Sequence, residues 1–180
     1  MTDLVRVTEV LAPWNPYHNE EAMERGRLVH LYTAVHASCK MGITPSGLEG
    51  YIESFDKWFQ KCVSETILFE QRFFDSKLGI TGQIDLLFRF HGKKHLTLGD
   101  YKTGTPTKSW PIQLAPYKRL VEQAGYKVDE CGNIMLHESG KMATWRPMGI
   151  PENQAWSIFL SCLNAYRYYG GKNGRQPVQD

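Results

Sequence analysis

Two stretches of this chain place carboxylates inside apolar runs of strand type. They are Gly82-Gln83-Ile84-Asp85-Leu86-Leu87 and Leu98-Gly99-Asp100-Tyr101-Lys102-Thr103-Gly104. Side chains alternate along a strand, so Asp100 and Lys102 point the same way. Burying a charge is costly unless it is paired or binds a metal. Two carboxylates and a lysine converging on one sheet surface therefore imply a divalent-metal site with a lysine beside an attacking water. That combination suits phosphodiester hydrolysis.

The 180 residues fit one domain, 1–180, with room for a proper core. A hydrophobic content of 42% and a charged content of 22% are globular values. The net charge of +2 is too small to signal nucleic-acid binding by itself. Its distribution is more telling. From Tyr101 to Val121 there is no acidic residue, whereas Lys102, Lys108, Lys118 and Arg119 all fall there. Such a segment is either a solvated basic face or a phosphate path, and its place directly after Asp100-x-Lys102 favours the path. Trp110 in the same segment either stacks on an unpaired base or belongs to the core. The start, Met1-Thr2-Asp3-Leu4-Val5-Arg6, lacks the apolar run of a secretory leader, and no run approaches the ~20 residues of a membrane span. Cys39, Cys62, Cys131 and Cys162 are widely spaced, which predicts reduced thiols and a cytoplasmic protein.

The pattern along the chain predicts a short strand or turn and an irregular lead-in over 1–18. A helix follows from Asn19 or Glu20 to about Lys40, then a break at Met41–Pro45. A second helix is expected from Pro45 to about Lys61, with Leu48, Ile52, Phe55 and Phe59 on one side. Strands follow over Thr66–Phe74, Ile80–Phe90 and His95–Lys102, the last two joined by a turn at His91–Lys94. After a loop over Thr103–Ser109, a helix spans about Trp110–Ala124. A second hairpin joins Val128–Leu136 to Met142–Met148. A last helix runs from Pro151 to about Tyr169, with Trp156, Phe159, Leu160 and Leu163 inward, and the tail from Gly170 is frayed. This order predicts an α/β fold with a mixed central β-sheet flanked by helices.

Four ordered blocks resemble the PD-(D/E)XK nuclease superfamily, and within it the RecB-like exonuclease branch. Arg25-Gly26-Arg27-Leu28-Val29-His30 resembles the family's Gly-x-x-x-His helix motif. Gly82-Gln83-Ile84-Asp85 resembles its Gly-x-x-Asp strand, Gly99-Asp100-Tyr101-Lys102-Thr103 its Asp-x-Lys strand, and Gln113-Leu114-Ala115-Pro116-Tyr117 its Gln-x-x-x-Tyr helix. The opening Val7-Thr8-Glu9-Val10-Leu11 is similar to compact phage versions. The resemblance implies a restriction-endonuclease-like core. It further implies that His30, Asp85 and Asp100, with the Tyr101 carbonyl, hold Mg²⁺ or Mn²⁺. Lys102 then serves the attacking water and the transition-state charge, and Gln113 and Tyr117 hold the DNA backbone or support the site. The implied partner is DNA, as single strands or ends, in phage-type recombination, repair or processing, alongside recombination or replication proteins.

His36 competes with His30 for the ligand role, but only His30 fits the glycine spacing. His18, His91, His95 and His137 suit surface or turn positions. Glu70, in the strand before the first aspartate, is either a supporting acid or an exposed strand residue. Two departures stand out. Pro116 inside the Gln113–Tyr117 helix predicts a kink. The cysteines lack the late cluster of iron–sulfur members of the branch, so no iron–sulfur cofactor is expected. A structure-specific endonuclease or nickase, and a DNA-binding or assembly subunit without activity, remain alternatives.

Overall fold

The strand that carries Asp85, Ile80–Phe90 (β3), is the one on which the sheet is built. In the computed structural model, which describes residues 1–8, 20–39 and 44–169, β3 pairs with three other strands. The first is a two-residue parallel strand, Thr2–Asp3 (β1). The second is the long antiparallel Val63–Asp75 (β2), and the third the antiparallel Leu96–Lys102 (β4). Val128–Met135 (β5) runs parallel to β4, and Thr144–Pro147 (β6) closes a hairpin on β5. The six strands form one mixed sheet with helices on both faces, the α/β architecture expected from the order of elements.

One face is covered by Leu4–Thr8 (α1), Ser109–Gln123 (α4) and Glu152–Tyr168 (α5), through Leu4, Val7, Leu114, Leu120 and Phe159 on Ile80, Ile84 and Leu98. The other carries Glu20–Cys39 (α2) and Glu49–Cys62 (α3), through Val29, Tyr51, Phe55 and Trp58 on Leu86, Phe88 and Ile134. Ile80 and Ile84 pack with the first set, whereas Leu86 and Phe88 pack with the second. A regular strand would keep these even-numbered residues on one face. The alternation therefore slips at Asp85. The flanking pairs Phe69↔Leu86 and Gln71↔Ile84 place Glu70 across from it. Glu70 itself is left-handed, with φ 46°. Such a conformation is costly for a residue other than glycine and persists where its surroundings enforce it.

Several expectations are corrected. The lead-in contains α1, whose first turn is held by Asp3 accepting a hydrogen bond from the Val5 N–H at 3.0 Å. Five residues are too few to leave a helical period in the sequence, and the burial of Leu4 and Val7 is tertiary. The second helix begins at Glu49 rather than Pro45, because Gly47 turns with φ 88° and its N–H is taken by Glu49 at 2.7 Å. β2 starts at Val63, directly after α3, rather than at Thr66. On α5 the buried side is Ala155, Phe159, Cys162 and Leu163, with Trp156 and Leu160 half-buried. Pro116 lies inside α4, which continues to Gln123, so the kink expected there does not end the helix. The lead-in beyond Thr8 (with His18), the break over 41–43 and the tail from Gly170 lie outside the described residues.

Gly82 shows how closely both flanking helices approach the site strand. A Cβ there would stand 2.6 Å from Leu4 Cδ1 and 2.6 Å from Tyr117 Cε1. Gly82→Ala must push both side chains aside. The expected loss of stability in denaturant melts is roughly 1–3 kcal/mol, typical of overpacking. An unchanged midpoint would mean that α1 and α4 do not clamp β3.

Candidate metal and catalytic site

The slip at Asp85 coincides with a parting of strands. Pairing between β3 and β4 ends at Leu86↔Gly99, so the backbone of β4 beyond Gly99 must find other partners. Asp85 supplies one, its Oδ2 accepting the Tyr101 N–H at 2.6 Å. Helix α2 supplies another. His30 lies with Nδ1 3.0 Å from Asp85 Oδ1 and Nε2 3.2 Å from the Tyr101 carbonyl. The Asp85 carboxyl is thus buried and bound on both oxygens, while the His30 side chain keeps 30% exposure. Its ring also meets the Tyr101 ring edge-on at 5.7 Å.

Asp100 lies one residue beyond the last pair with β3 and is also buried. Its Oδ2 accepts from Lys102 Nζ at 2.6 Å and from Asn133 Nδ2 at 2.9 Å. Asn133 is its register partner on β5. Lys102 Nζ donates as well to Gln113 Oε1 at 3.0 Å, and Gln113 Nε2 donates to Tyr117 Oη at 3.0 Å. Trp110 lies with its ring centroid 5.8 Å from Lys102 Nζ. Trp110, Gln113 and Tyr117, spaced three and four apart, form one stripe of α4 directed at the lysine.

His30 meets Asp85 directly and Lys102 links Asp100 to Gln113, but Asp100 lies outside the tight ligand group of His30, Glu70 and Asp85, and two further differences from the expected set stand out. Glu70 joins that set, because His30, Glu70 and Asp85 each offer a ligand atom within 4.8 Å of the others. Gln83 Nε2 donates to Glu70 Oε2 at 2.5 Å, while Glu70 Oε1 is buried without a hydrogen-bond partner. Second, the Tyr101 carbonyl, expected as a ligand, is engaged with His30 Nε2. A backbone acceptor on the far nitrogen is how ligating histidines are commonly oriented. Lys118 and Arg119 face elsewhere. Lys118 Nζ pairs with Glu152 at 2.5 Å and Glu122 at 3.7 Å, and Arg119 lies over Trp156 of α5 at 4.2 Å. Lys108 is exposed at the N-terminus of α4, and Trp110 is half-buried. His36 pairs with Asp56 at 3.1 Å. Asn133 was not singled out in the sequence. Its strand also carries Asp129, Glu130 and Gly132, so it does not stand out from an apolar run as Asp100 does.

The donor set suits a hard divalent cation. Glu70 Oε1 is an oxygen without a partner beside two further donors. Octahedral bonds of ~2.1 Å put adjacent ligand atoms ~3.0 Å apart, the spacing of His30 Nδ1 and Asp85 Oδ1. Carboxylates suit Mg²⁺, and the imidazole admits Mn²⁺. Without a cation, the cluster's own protons offset its charge. Burial opposes charge on His30, but the charge and hydrogen bond of Asp85, with Asp100 behind it, outweigh burial and push its pKa up to about 9. Burial and the Asp85 charge push Glu70 up to about 7. Burial also raises Asp100, against the pull of Lys102.

Neither a protein-family model nor a curated protein matches the chain.

Glu70 provides a direct test of this electrostatic balance. Its folded pKa of about 7 lies above the ordinary 4.5, so the fold favours its neutral form. Ionising it costs stability, a cost fully present above about pH 7 and absent below about pH 4.5. Glu70→Gln is therefore expected to raise the melting temperature at pH 8 in EDTA and to leave it unchanged at pH 4.5. The same difference at both pH values would contradict the placement of Glu70 against Asp85.

Proposed function

We propose that the chain is a divalent-metal-dependent nuclease of the PD-(D/E)XK kind. Its substrate is DNA, and the sequence resemblance supports action as an exonuclease at ends or in single strands. The observation that carries this reading is the convergence of Asp85, Asp100 and Lys102 where β3 and β4 part, with His30 and Glu70 completing a ligand set. No helix among the described residues is long and apolar enough to cross a membrane. A cytoplasmic setting in phage-type recombination and repair follows from the sequence resemblance.

His30, Glu70, Asp85 and Asp100 are the residues that would hold Mg²⁺ or Mn²⁺. A cation bound there supplies Lewis-acid polarisation of a phosphoryl oxygen and acidifies water. Lys102, held by Asp100 and Gln113, keeps a third N–H for the substrate side. In that role it would orient the attacking water and stabilise the extra negative charge on the phosphoryl oxygens. Water adds across one P–O ester bond, leaving a phosphate monoester and a free hydroxyl, with no covalent enzyme intermediate. Tyr117, whose hydroxyl is held well above its ordinary pKa by burial and by the Asp100 and Asp85 charges, stays a neutral partner that orients Gln113. Lys108 and Trp110 extend the surface from Lys102 towards the N-terminus of α4, where a strand's phosphates and bases would run.

Asp100→Asn and Lys102→Ala are each expected to lower the rate of DNA hydrolysis by about 10²–10³ while preserving the far-ultraviolet spectrum and cooperative melting. A rate within threefold of wild type in either variant would remove the basis of this reading. The two histidines separate by metal titration. His30→Ala should require about 10-fold or more additional Mn²⁺ for half-maximal activity, the scale of a lost metal contact, whereas His36→Ala should follow the wild-type curve. Coincident curves for the two variants would exclude His30 as a ligand.

A further inference from the structure

A cleft of about 410 Å³ opens between α2 and β2, lined by Arg27, His30, Leu31, Val35, Phe69 and Glu70 among others. Its volume falls in the ~300–1,000 Å³ range of small-ligand sites. Two of its residues, His30 and Glu70, also belong to the ligand cluster around Asp85. The cleft is thus continuous with the place where a phosphodiester would be hydrolysed. Its walls are otherwise largely apolar, and two large side chains in them stay open to solvent, Phe69 at 41% and Leu31 at 50%. The left-handed Glu70 explains how consecutive residues Phe69 and Glu70 both reach one cleft, since it breaks the alternation of β2. Arg27 lies one helical turn before His30. Its side chain is 64% exposed and, among the described residues, pairs with Glu24 on the same helix at 2.6 Å.

An aromatic face, an apolar wall and an exposed guanidinium next to a phosphate-hydrolysing centre match the chemistry of one unpaired nucleotide. The base would stack on Phe69, and a neighbouring phosphate would be met by Arg27. A base within a duplex offers no free face for such stacking. We propose that this cleft receives the unpaired base adjoining the scissile phosphate and thereby makes single-stranded DNA the preferred substrate. The proposal rests on the nuclease reading above and adds to it a specificity-determining residue, Phe69.

The test compares kcat/KM in Mn²⁺ on three probes. They are a ten-thymidine single strand, the same strand with all bases replaced by abasic sites, and a blunt ten-base-pair duplex. Wild type is expected to favour the thymidine strand over both others. Phe69→Ala should lose about tenfold on the thymidine strand, the scale of one lost base stack, and little on the other two. Phe74→Ala, a control 67% exposed on the same strand of the sheet, should match wild type. Leu31→Ala, on the facing wall, provides a second variant should Phe69→Ala melt early. Thymidine-strand hydrolysis by both cleft variants within twofold of wild type would overturn the proposal and leave the nuclease reading intact. A melting temperature lowered in both variants with that rate unchanged would place a segment of protein in the cleft, and would overturn it too. Absence of hydrolysis by wild type on every probe would remove the nuclease reading and this proposal together.

Discussion

The carboxyl of Asp85 ties three elements together. It sits on β3, accepts the backbone N–H of Tyr101 on β4 and faces the imidazole of His30 on α2. Each contact compensates a deficit created by the fold. The backbone of β4 beyond Gly99 is left without a β3 partner, a buried carboxylate requires donors, and His30 is drawn into the sheet. Replacing Asp85 with an apolar residue would leave the Tyr101 N–H without its acceptor and His30 Nδ1 without its carboxylate, so the same residue supports the sheet and shapes the candidate site.

The charges around Asp85 balance in the protein alone. Asp85 and Asp100 face His30, whose pKa is pushed up to about 9, and Lys102, while Glu70 is raised to about 7 and is partly neutral near neutrality. A divalent cation would displace the His30 proton and draw out the Glu70 charge, so binding is coupled to proton release. Lys102 is held by Asp100 and Gln113, so a cation drawn to Asp100 would also act on the lysine's ion pair.

Much of this was legible in the sequence because it rests on local pattern. Asp85, Asp100 and Lys102 stood out as charges in apolar strand runs, and their period placed Asp100 and Lys102 on one face, where they form an ion pair. Gln113 and Tyr117 were legible from helical spacing, and Pro116 did not part them because α4 continues through it. What stayed open, as for Glu70, or escaped, as for Asn133, depends on register between distant segments. Glu70 joins the site because β2 pairs with β3 so as to set it opposite Asp85, and Asn133 because β5 sets it beside Asp100. Lys118 and Arg119 read as part of a basic path, yet helical rotation turns them to Glu152 and Trp156 on α5. The five-residue α1 was invisible because it is held by tertiary burial of Leu4 and Val7 rather than by a repeat of its own.

The measurement closest to the central claim is incubation of the purified chain with end-labelled linear, circular and single-stranded DNA, in Mg²⁺, Mn²⁺ or EDTA. Shortening of linear and single-stranded DNA in either ion, with circular duplex intact and no product in EDTA, is the expected result. Hydrolysis that persists in EDTA, or no hydrolysis of any DNA in either ion, would contradict a metal-dependent nuclease built on Asp85, Asp100 and Lys102.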